Sequence, residues 1–383
     1  MGVMAAPDAA PPAARTLLQG WWTGFVGWRN RLLAEPGFQR FAARFPLTRP
    51  IAQARANRLF EIATGFVHAR VLFAVVKLGL IELLADGPMP PLAIARTLDL
   101  PPARLLVLLK AAASIELLQA LPDGRFTLGE LGAAMRANPG LPDMVEHHSL
   151  LYADLADPLA LVRGDGPATA VASYWPYAAG AEDSAAAETY SSLMGRTQAM
   201  LAGYVTDAVG FARFRRVMDV GGGEGVFIEA VSHAAPRCRL TLFDLPDVAA
   251  RARRRLKALG LEQRISVEAG SFLTDALPLG ADCITLNRIL HDHDDAPAMT
   301  LLRAARAALA EDGALVIAEP LADTPGARPM GHGYFGLYLL AMGSGRPRTR
   351  DEVTAMLRDA GFGQIRELPS AQPGLVRILE ARA

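Results

Sequence analysis

The sequence predicts an α/β chain: a mostly parallel, doubly wound sheet of seven strands with an antiparallel edge, preceded by a mainly helical half. Three observations carry this. From about residue 211 onward, short apolar runs alternate with helical segments, the pattern of a layered α/β sheet. The last two runs have no long helix between them, which makes them antiparallel neighbours. Residues 50–163, in contrast, show helical periodicity with a single hairpin signal.

The strands are expected at Val217–Val220, Leu240–Phe243, Ile265–Ala269, Cys283–Leu286, Ala314–Ala318, Gln364–Leu368 and Leu375–Glu380, with helices separating the first six. Ahead of them, residues 1–15 are rich in alanine and proline and read as disordered. Residues 16–49 form an aromatic-rich helical arm. Within 50–163, the apolar Phe60–Leu80 segment is followed by short helices at Pro90–Leu98 and Pro102–Ile115. A hairpin turning on Pro122-Asp123-Gly124 completes a winged-helix outline. Residues 164–210 read as a helical linker that contributes to a pocket, and 211–383 as the sheet domain.

A winged helix raises the question of DNA. The segment in the recognition position offers only Arg104 and Lys110 amid leucines, too few donors for phosphates and base edges. Lysine plus arginine equal aspartate plus glutamate at 39 each, so the chain as a whole shows no electrostatic footprint for nucleic acid. The two cysteines, Cys238 and Cys283, match no metal spacing and suit a reducing, cytoplasmic interior. No uninterrupted apolar run approaches the roughly 18 residues that span a bilayer. Three of the four tryptophans, Trp21, Trp22 and Trp28, crowd into the arm beside Arg29 and Arg31. Such a segment suits peripheral contact with the inner face of a membrane. The alternative is an arm packed on its own domain or on a partner subunit.

The chemistry begins at Asp219-Val220-Gly221-Gly222-Gly223-Glu224-Gly225. A glycine turn after a parallel strand is where doubly wound folds bind nucleotides, because bare main chain lets a ligand approach. A pyrophosphate fingerprint requires Gly-x-Gly-x-x-Gly, but its last position here is Val226. The flanking Asp219 and Glu224 repel phosphate and suit a cation. Asp244, 25 residues beyond Asp219 at the end of the next strand, stands where a carboxylate accepts ribose hydroxyls. Together they imply an adenosine ligand without phosphate, and S-adenosylmethionine, with its sulfonium and ammonium groups, fits. A dinucleotide fold with a degenerate fingerprint is the competing reading.

A second cluster follows the fourth strand: Asn287-Arg288-Ile289-Leu290-His291-Asp292-His293-Asp294-Asp295. His291 lies past the carboxyl end of that strand, on the same sheet edge as the glycine turn. Methyl transfer to a hydroxyl needs alignment and removal of one proton, and a neutral histidine can take it. Glu319, ending the next strand, is placed to hold the other imidazole nitrogen. Divalent metal binding and an inert surface cluster compete with this assignment. Asp294 and Asp295 stand directly before a helical run, where acids cap a helix N-terminus. His293 reads as a pocket wall or an exposed residue.

With VMDVGGGEG, FDLP, LHDHDD, a strand ending in Glu319 and a terminal RPRT…LRDAGF, roughly residues 55–383 resemble the small-molecule O-methyltransferase family. That family includes the plant phenolic and acetylserotonin enzymes and bacterial relatives. The resemblance implies a Rossmann-like methyltransferase sheet behind a winged-helix dimerisation domain, hence a homodimer. It also implies S-adenosylmethionine as donor, S-adenosylhomocysteine as product, no metal, His291 as base and Glu319 beside it. Donor contacts carry over to Asp219, Gly221, Gly223, Gly225, Asp244, Leu245, Ser271, Phe272 and Asn287. Acceptor contacts carry over to Met194, Gln198, Tyr338 and Met342. The segments FQRFAARFPLTRPIAQARANRLFE, MVEHHSLLYADLADPLALVRG and SYWPYA are similar to bacterial carotenoid-pathway members, the hydroxyneurosporene and demethylspheroidene enzymes. These methylate a tertiary 1-hydroxyl.

The chain departs from the phenolic enzymes at three places. Ser271 replaces an acid that contacts adenine, so adenine binding leans on Phe272. Pro347 replaces a second catalytic glutamate, and His293 replaces a tryptophan. A tertiary alcohol is a far weaker acid than a phenol, so His291 has to take the proton as the methyl moves, which implies slow turnover. Two alternatives stay open: a phenolic, quinone or polyketide acceptor, and a non-catalytic regulator that senses the methyl donor or a lipid.

Overall fold

The computed structural model describes residues 12–138, 140–174, 195, 198–199 and 201–382. The chain divides into two compact units, Met1–Leu72 and Phe73–Ala383. The first is helical. Helix Pro12–Ala34 begins inside the stretch expected to be disordered. Helix Pro36–Arg44 follows with proline in its first turn and the Glu35 side chain accepting the Gly37 N–H at 3.3 Å. Most of a 29-residue helix, Arg49–Lys77, completes the unit. That helix is long and apolar enough to cross a bilayer, although Glu61 and Arg70 interrupt its apolar run. Its Leu59, Phe60, Ile62 and Phe66 are exposed.

The second unit opens with helices Leu80–Leu83, Pro91–Thr97 and Pro102–Ser114. A hairpin of β1 (Leu118–Ala120) and β2 (Phe126–Leu128) follows, with Leu118 opposite Leu128. Helix Pro102–Ser114 buries Leu105, Leu109 and Ala112, one stripe at helical spacing, and leaves Val107 exposed.

The main sheet contains β3 (Arg216–Val220), β4 (Arg239–Asp244), β5 (Ile265–Ala269), β6 (Ala281–Asn287), β7 (Leu309–Glu319), β8 (Gln364–Leu368) and β9 (Arg377–Arg382). Its order is β5-β4-β3-β6-β7-β9-β8. The neighbours from β5 through β7 run parallel, whereas β9 is antiparallel to both β7 and β8, in line with the missing helix between the last two runs. Both faces are buried. Along β7, Ala314, Val316 and Ala318 enter one hydrophobic cluster and Leu315 and Ile317 the other, the period-two signature of a covered sheet.

One expectation fails here. No helix joins β5 to β6 among the described residues. Residues 270–280 carry two glycines and a proline, and the Asp275 carboxylate turns the chain by accepting the Ser271 N–H at 2.8 Å.

Strand order reverses at β3: β4 and β5 lie on one side, β6 and β7 on the other. A crevice therefore opens beyond the carboxyl ends of β3 and β6, the place where such sheets take ligands.

Candidate active site

A cleft of about 380 Å³ occupies that crevice, lined by the glycine turn, the ends of β4 and β6, the loop after β5 and the segment around Tyr334. The turn is shaped by its glycines. Gly221, Gly223 and Gly225 all have positive φ, a conformation that side chains disfavour. At Gly221 a Cβ would also meet Ile289 Cδ1 at 1.9 Å. The Gly223 N–H donates to Asp244 Oδ2 at 2.8 Å, which ties the turn to the end of β4. The Leu245 N–H donates to Asp244 Oδ1 at 2.7 Å.

Asp219 and Asn287 form the floor. Asp219 pairs in register with Thr285 on β6, whose hydroxyl donates to Asp219 Oδ1 at 2.6 Å; Asn287 Nδ2 donates to the same oxygen at 3.0 Å. Burial pushes the Asp219 carboxyl up to about 7 against those two hydrogen bonds, and Asp244, also buried, sits at about 6. Asp219 Oδ2 and Asn287 Oδ1 have no hydrogen-bond partner among the described residues. Buried acceptors left open in a cleft call for a donor on the ligand, and a cationic one relieves the raised carboxyl as well. S-adenosylmethionine would fit these acceptors: Asp219 and Asn287 would hold its ammonium, Asp244 its ribose, and the bare Gly221–Gly223 backbone would admit the rest. Ser271 and Phe272 line the far wall, where Phe272 meets the His293 ring edge-on at 5.1 Å. Ser271 Oγ accepts the Leu273 N–H at 3.3 Å. His293 is thus a pocket wall, and burial holds its imidazole below the ordinary value.

A histidine–carboxylate cluster lies on the opposite side. Glu319, at the end of β7, accepts the N–H groups of Ile289 and Leu290 at 3.0 and 2.8 Å with Oε1, and its Oε2 receives His291 Nδ1. A carboxylate has no proton to give, so Nδ1 carries the proton and Nε2 is left as the basic nitrogen. Asp292 Oδ1 lies 3.2 Å from that Nε2. Burial works against protonation of His291, but the charges of Glu319 and Asp292 outweigh it and raise its pKa above the ordinary imidazole value. Burial lifts Asp292 to about 6, with His291 pulling the other way.

This loop is braced from the chain's far end. Arg348 is 2% exposed and donates to the carbonyls of Leu290 and His293 at 2.6 and 2.8 Å, and to Asp295 at 2.7 Å. Asp295 begins helix Asp295–Ala308 in the first-turn position read from the sequence. Asp294 caps that helix through its backbone and accepts the Gly345 N–H with its side chain. Among the described residues no group of three or more histidines, cysteines or acids is placed to hold a metal ion.

The acceptor side differs in part from the sequence reading. Gln198 and Tyr338 line the cleft. Met342 does not: it is buried with Leu151, Val171 and Leu339, because its position on helix Gly336–Met342 faces the core. Met194 lies outside the described residues. Two histidines went unread. His147 Nε2 bonds the Tyr338 hydroxyl and His148 Nε2 the Tyr334 hydroxyl, each at 2.9 Å. Burial lowers both imidazoles, His147 to about 4, so they stay neutral, and it lifts the Tyr334 phenol to about 12. The adjacent His147-His148 pair, set among apolar residues such as Val145, Leu150 and Leu151, was the available signal.

A glycine turn with an acid on the neighbouring strand, set in this seven-stranded order, defines a methyltransferase of the S-adenosylmethionine-dependent type. The family description "O-methyltransferase domain" matches residues 152–363, and "O-methyltransferase dimerisation domain" matches residues 60–137. The chain is 42% identical over 356 residues to a demethylspheroidene O-methyltransferase of Cereibacter sphaeroides, covering 92% of this chain and 93% of that one. It is 38% identical over 363 residues to the enzyme of the same name from Rhodobacter capsulatus, covering 94% and 90%. The solved structure of the S-adenosylmethionine-dependent methyltransferase SibL is similar with a TM-score of 0.71 at 26% identity, covering 85% and 98%. The chain belongs to the S-adenosylmethionine-dependent O-methyltransferase family.

Proposed function

We propose that this enzyme methylates the tertiary 1-hydroxyl of an acyclic carotenoid of the hydroxyneurosporene or demethylspheroidene kind, with His291 as general base. The observation that carries the base assignment is the buried Glu319–His291 pair at the cleft, with Nδ1 engaged by Glu319 and Nε2, beside Asp292, the remaining basic nitrogen. The acceptor assignment is supported by the names of the 42% and 38% identical relatives and by a wall of Tyr334, Phe335 and Tyr338.

When bound, S-adenosylmethionine supplies a methyl carbon activated by its sulfonium. The protein's part is alignment and proton removal. Gly221, Gly223 and Asp244 hold one partner, the aromatic wall holds the other, and Nε2 of His291 takes the hydroxyl proton as oxygen gains the methyl. Glu319 fixes the ring and stabilises the imidazolium that results. Asp292 stands on the Nε2 side, where a carboxylate offsets the new positive charge and takes over part of the role vacated at Pro347. Two copies pair through residues 60–137, where the exposed Phe60, Ile62, Phe66 and Val67 supply an apolar face. The unbridged, buried Cys238 and Cys283 suit the reducing cytoplasm.

Labelled donor incubated with a panel of 1-hydroxycarotenoids, phenols, hydroquinones and polyketides tests the acceptor. Label transferred to the carotenoids with a kcat/KM at least tenfold above any phenol is the expected result. Preference for a phenolic or quinone acceptor overturns the carotenoid assignment. Donor binding without transfer to any acceptor favours a ligand-sensing role.

A further inference from the structure

The N-terminal arm precedes, in sequence, residues 60–137, which match the dimerisation domain. In helix Pro12–Ala34, Trp21, Trp22, Phe25 and Trp28 follow the i, i+3/i+4, i+7 spacing that gathers side chains on one stripe. Phe25 is the hub, its ring 5.8 Å from those of Trp21 and Trp22 and 6.0 Å from that of Trp28. The three tryptophans are 67%, 57% and 54% exposed. The next helix and its exit add Phe41 and Phe45, stacked at 5.3 Å, and Leu47, all exposed. A cluster of large rings left in water is costly, and on a soluble surface it marks a docking site.

Charge indicates what docks there. The unit Met1–Leu72 holds nine arginines against Asp8, Glu35 and Glu61, a net charge of +6. The chain as a whole is neutral, so the remaining residues carry −6. Helix Pro12–Ala34 has no acid at all. Residues 12–47 hold Arg15, Arg29, Arg31, Arg40 and Arg44 against Glu35 alone, and a cationic, tryptophan-rich segment has the composition of one that lies in the headgroup layer of an anionic bilayer, rings at the acyl boundary and guanidinium groups on the phosphates. Nucleic acid would leave the leucine and phenylalanine surface wet, and a second copy, which also brings the −6 remainder, is told apart from a bilayer by the oligomeric state of the tryptophan variant.

We infer that residues 12–47 form an amphipathic anchor that seats the enzyme on anionic lipid bilayers, with Trp21, Trp22, Phe25 and Trp28 as the inserted face. The anchor is independent of the acceptor's identity.

The test uses the full-length chain with vesicles of phosphatidylcholine alone or mixed with phosphatidylglycerol. Wild type is expected to co-sediment with the anionic vesicles at least tenfold more strongly than with the neutral ones, less so as salt rises, with a blue shift of tryptophan emission. Combined Trp21→Ser, Trp22→Ser and Trp28→Ser substitution is expected to abolish binding and the shift. Combined Arg29→Glu and Arg31→Glu substitution is expected to weaken binding without changing donor affinity or thermal melting. Unchanged sedimentation of the tryptophan variant overturns the anchor. So does loss of the oligomer in that variant, which would assign the face to a second copy. Displacement from vesicles by single-stranded DNA with equal or greater affinity would assign it to a polyanion instead.

Discussion

The two walls of the cleft are built differently. The donor wall is mostly backbone: three glycines at positive φ and two buried carboxyls, one of which, Asp244, has both oxygens tied to N–H groups. The opposite wall is made chiefly of side chains, a histidine wedged between Glu319 and Asp292 and packed edge-on against Phe335. Backbone sites recognise a ligand whatever happens to it later, whereas a side-chain relay matters only while a proton moves. Damage to the first therefore appears as lost affinity, and damage to the second as lost turnover.

The sharpest way to break this contrast is His291→Ala. Turnover is expected to fall about a thousandfold, in the range a general base contributes. Donor affinity by calorimetry should stay within twofold of wild type; a kcat close to wild type would remove His291 from the mechanism.

Glu319→Gln comes next, with a loss of about a hundredfold in kcat. It also moves the pH profile. The His291 pKa is raised, so the neutral base accumulates only as pH climbs through a value above the ordinary imidazole range, and the acid limb of kcat lies there. Removing the Glu319 charge takes away the strongest attraction that opposes burial, so the limb shifts to lower pH. An unmoved limb would show that another group titrates.

The smallest effect belongs to the donor wall. Asp244→Ala is expected to weaken donor binding about tenfold, which corresponds to about 1.4 kcal/mol, with little change in kcat at saturation. A kcat loss with unchanged affinity would invert the comparison.

The same contrast explains what could be read from the chain. Asp219, Asp244, His291 and Glu319 were legible because each sits at or just past a strand end, and strand ends announce themselves by an apolar run stopping at a charge or a glycine. The antiparallel β8–β9 edge was legible because no helix intervenes. The His147–Tyr338 and His148–Tyr334 pairs were not, since 191 and 186 residues separate their members and no local pattern records the contact. Met342 was misplaced by one turn's worth of geometry: it shares a helix with the cleft-lining Tyr338, four positions back, yet packs into the core. The helix expected between β5 and β6 yielded to a loop in which glycine, proline and an Asp–backbone bond outweigh the alternation of strand and helix seen elsewhere in the sheet.

Arg348 carries a consequence for how the enzyme fails. Its fork grips the carbonyls of Leu290 and His293 from a position that leads directly into helix Arg350–Asp359 and the terminal edge strands. Fraying of that edge would slacken the grip on the loop that carries His291 before the rest of the sheet opens. On warming, catalysis should therefore decay ahead of the spectroscopic melt, while methyl-donor capture by the glycine turn persists.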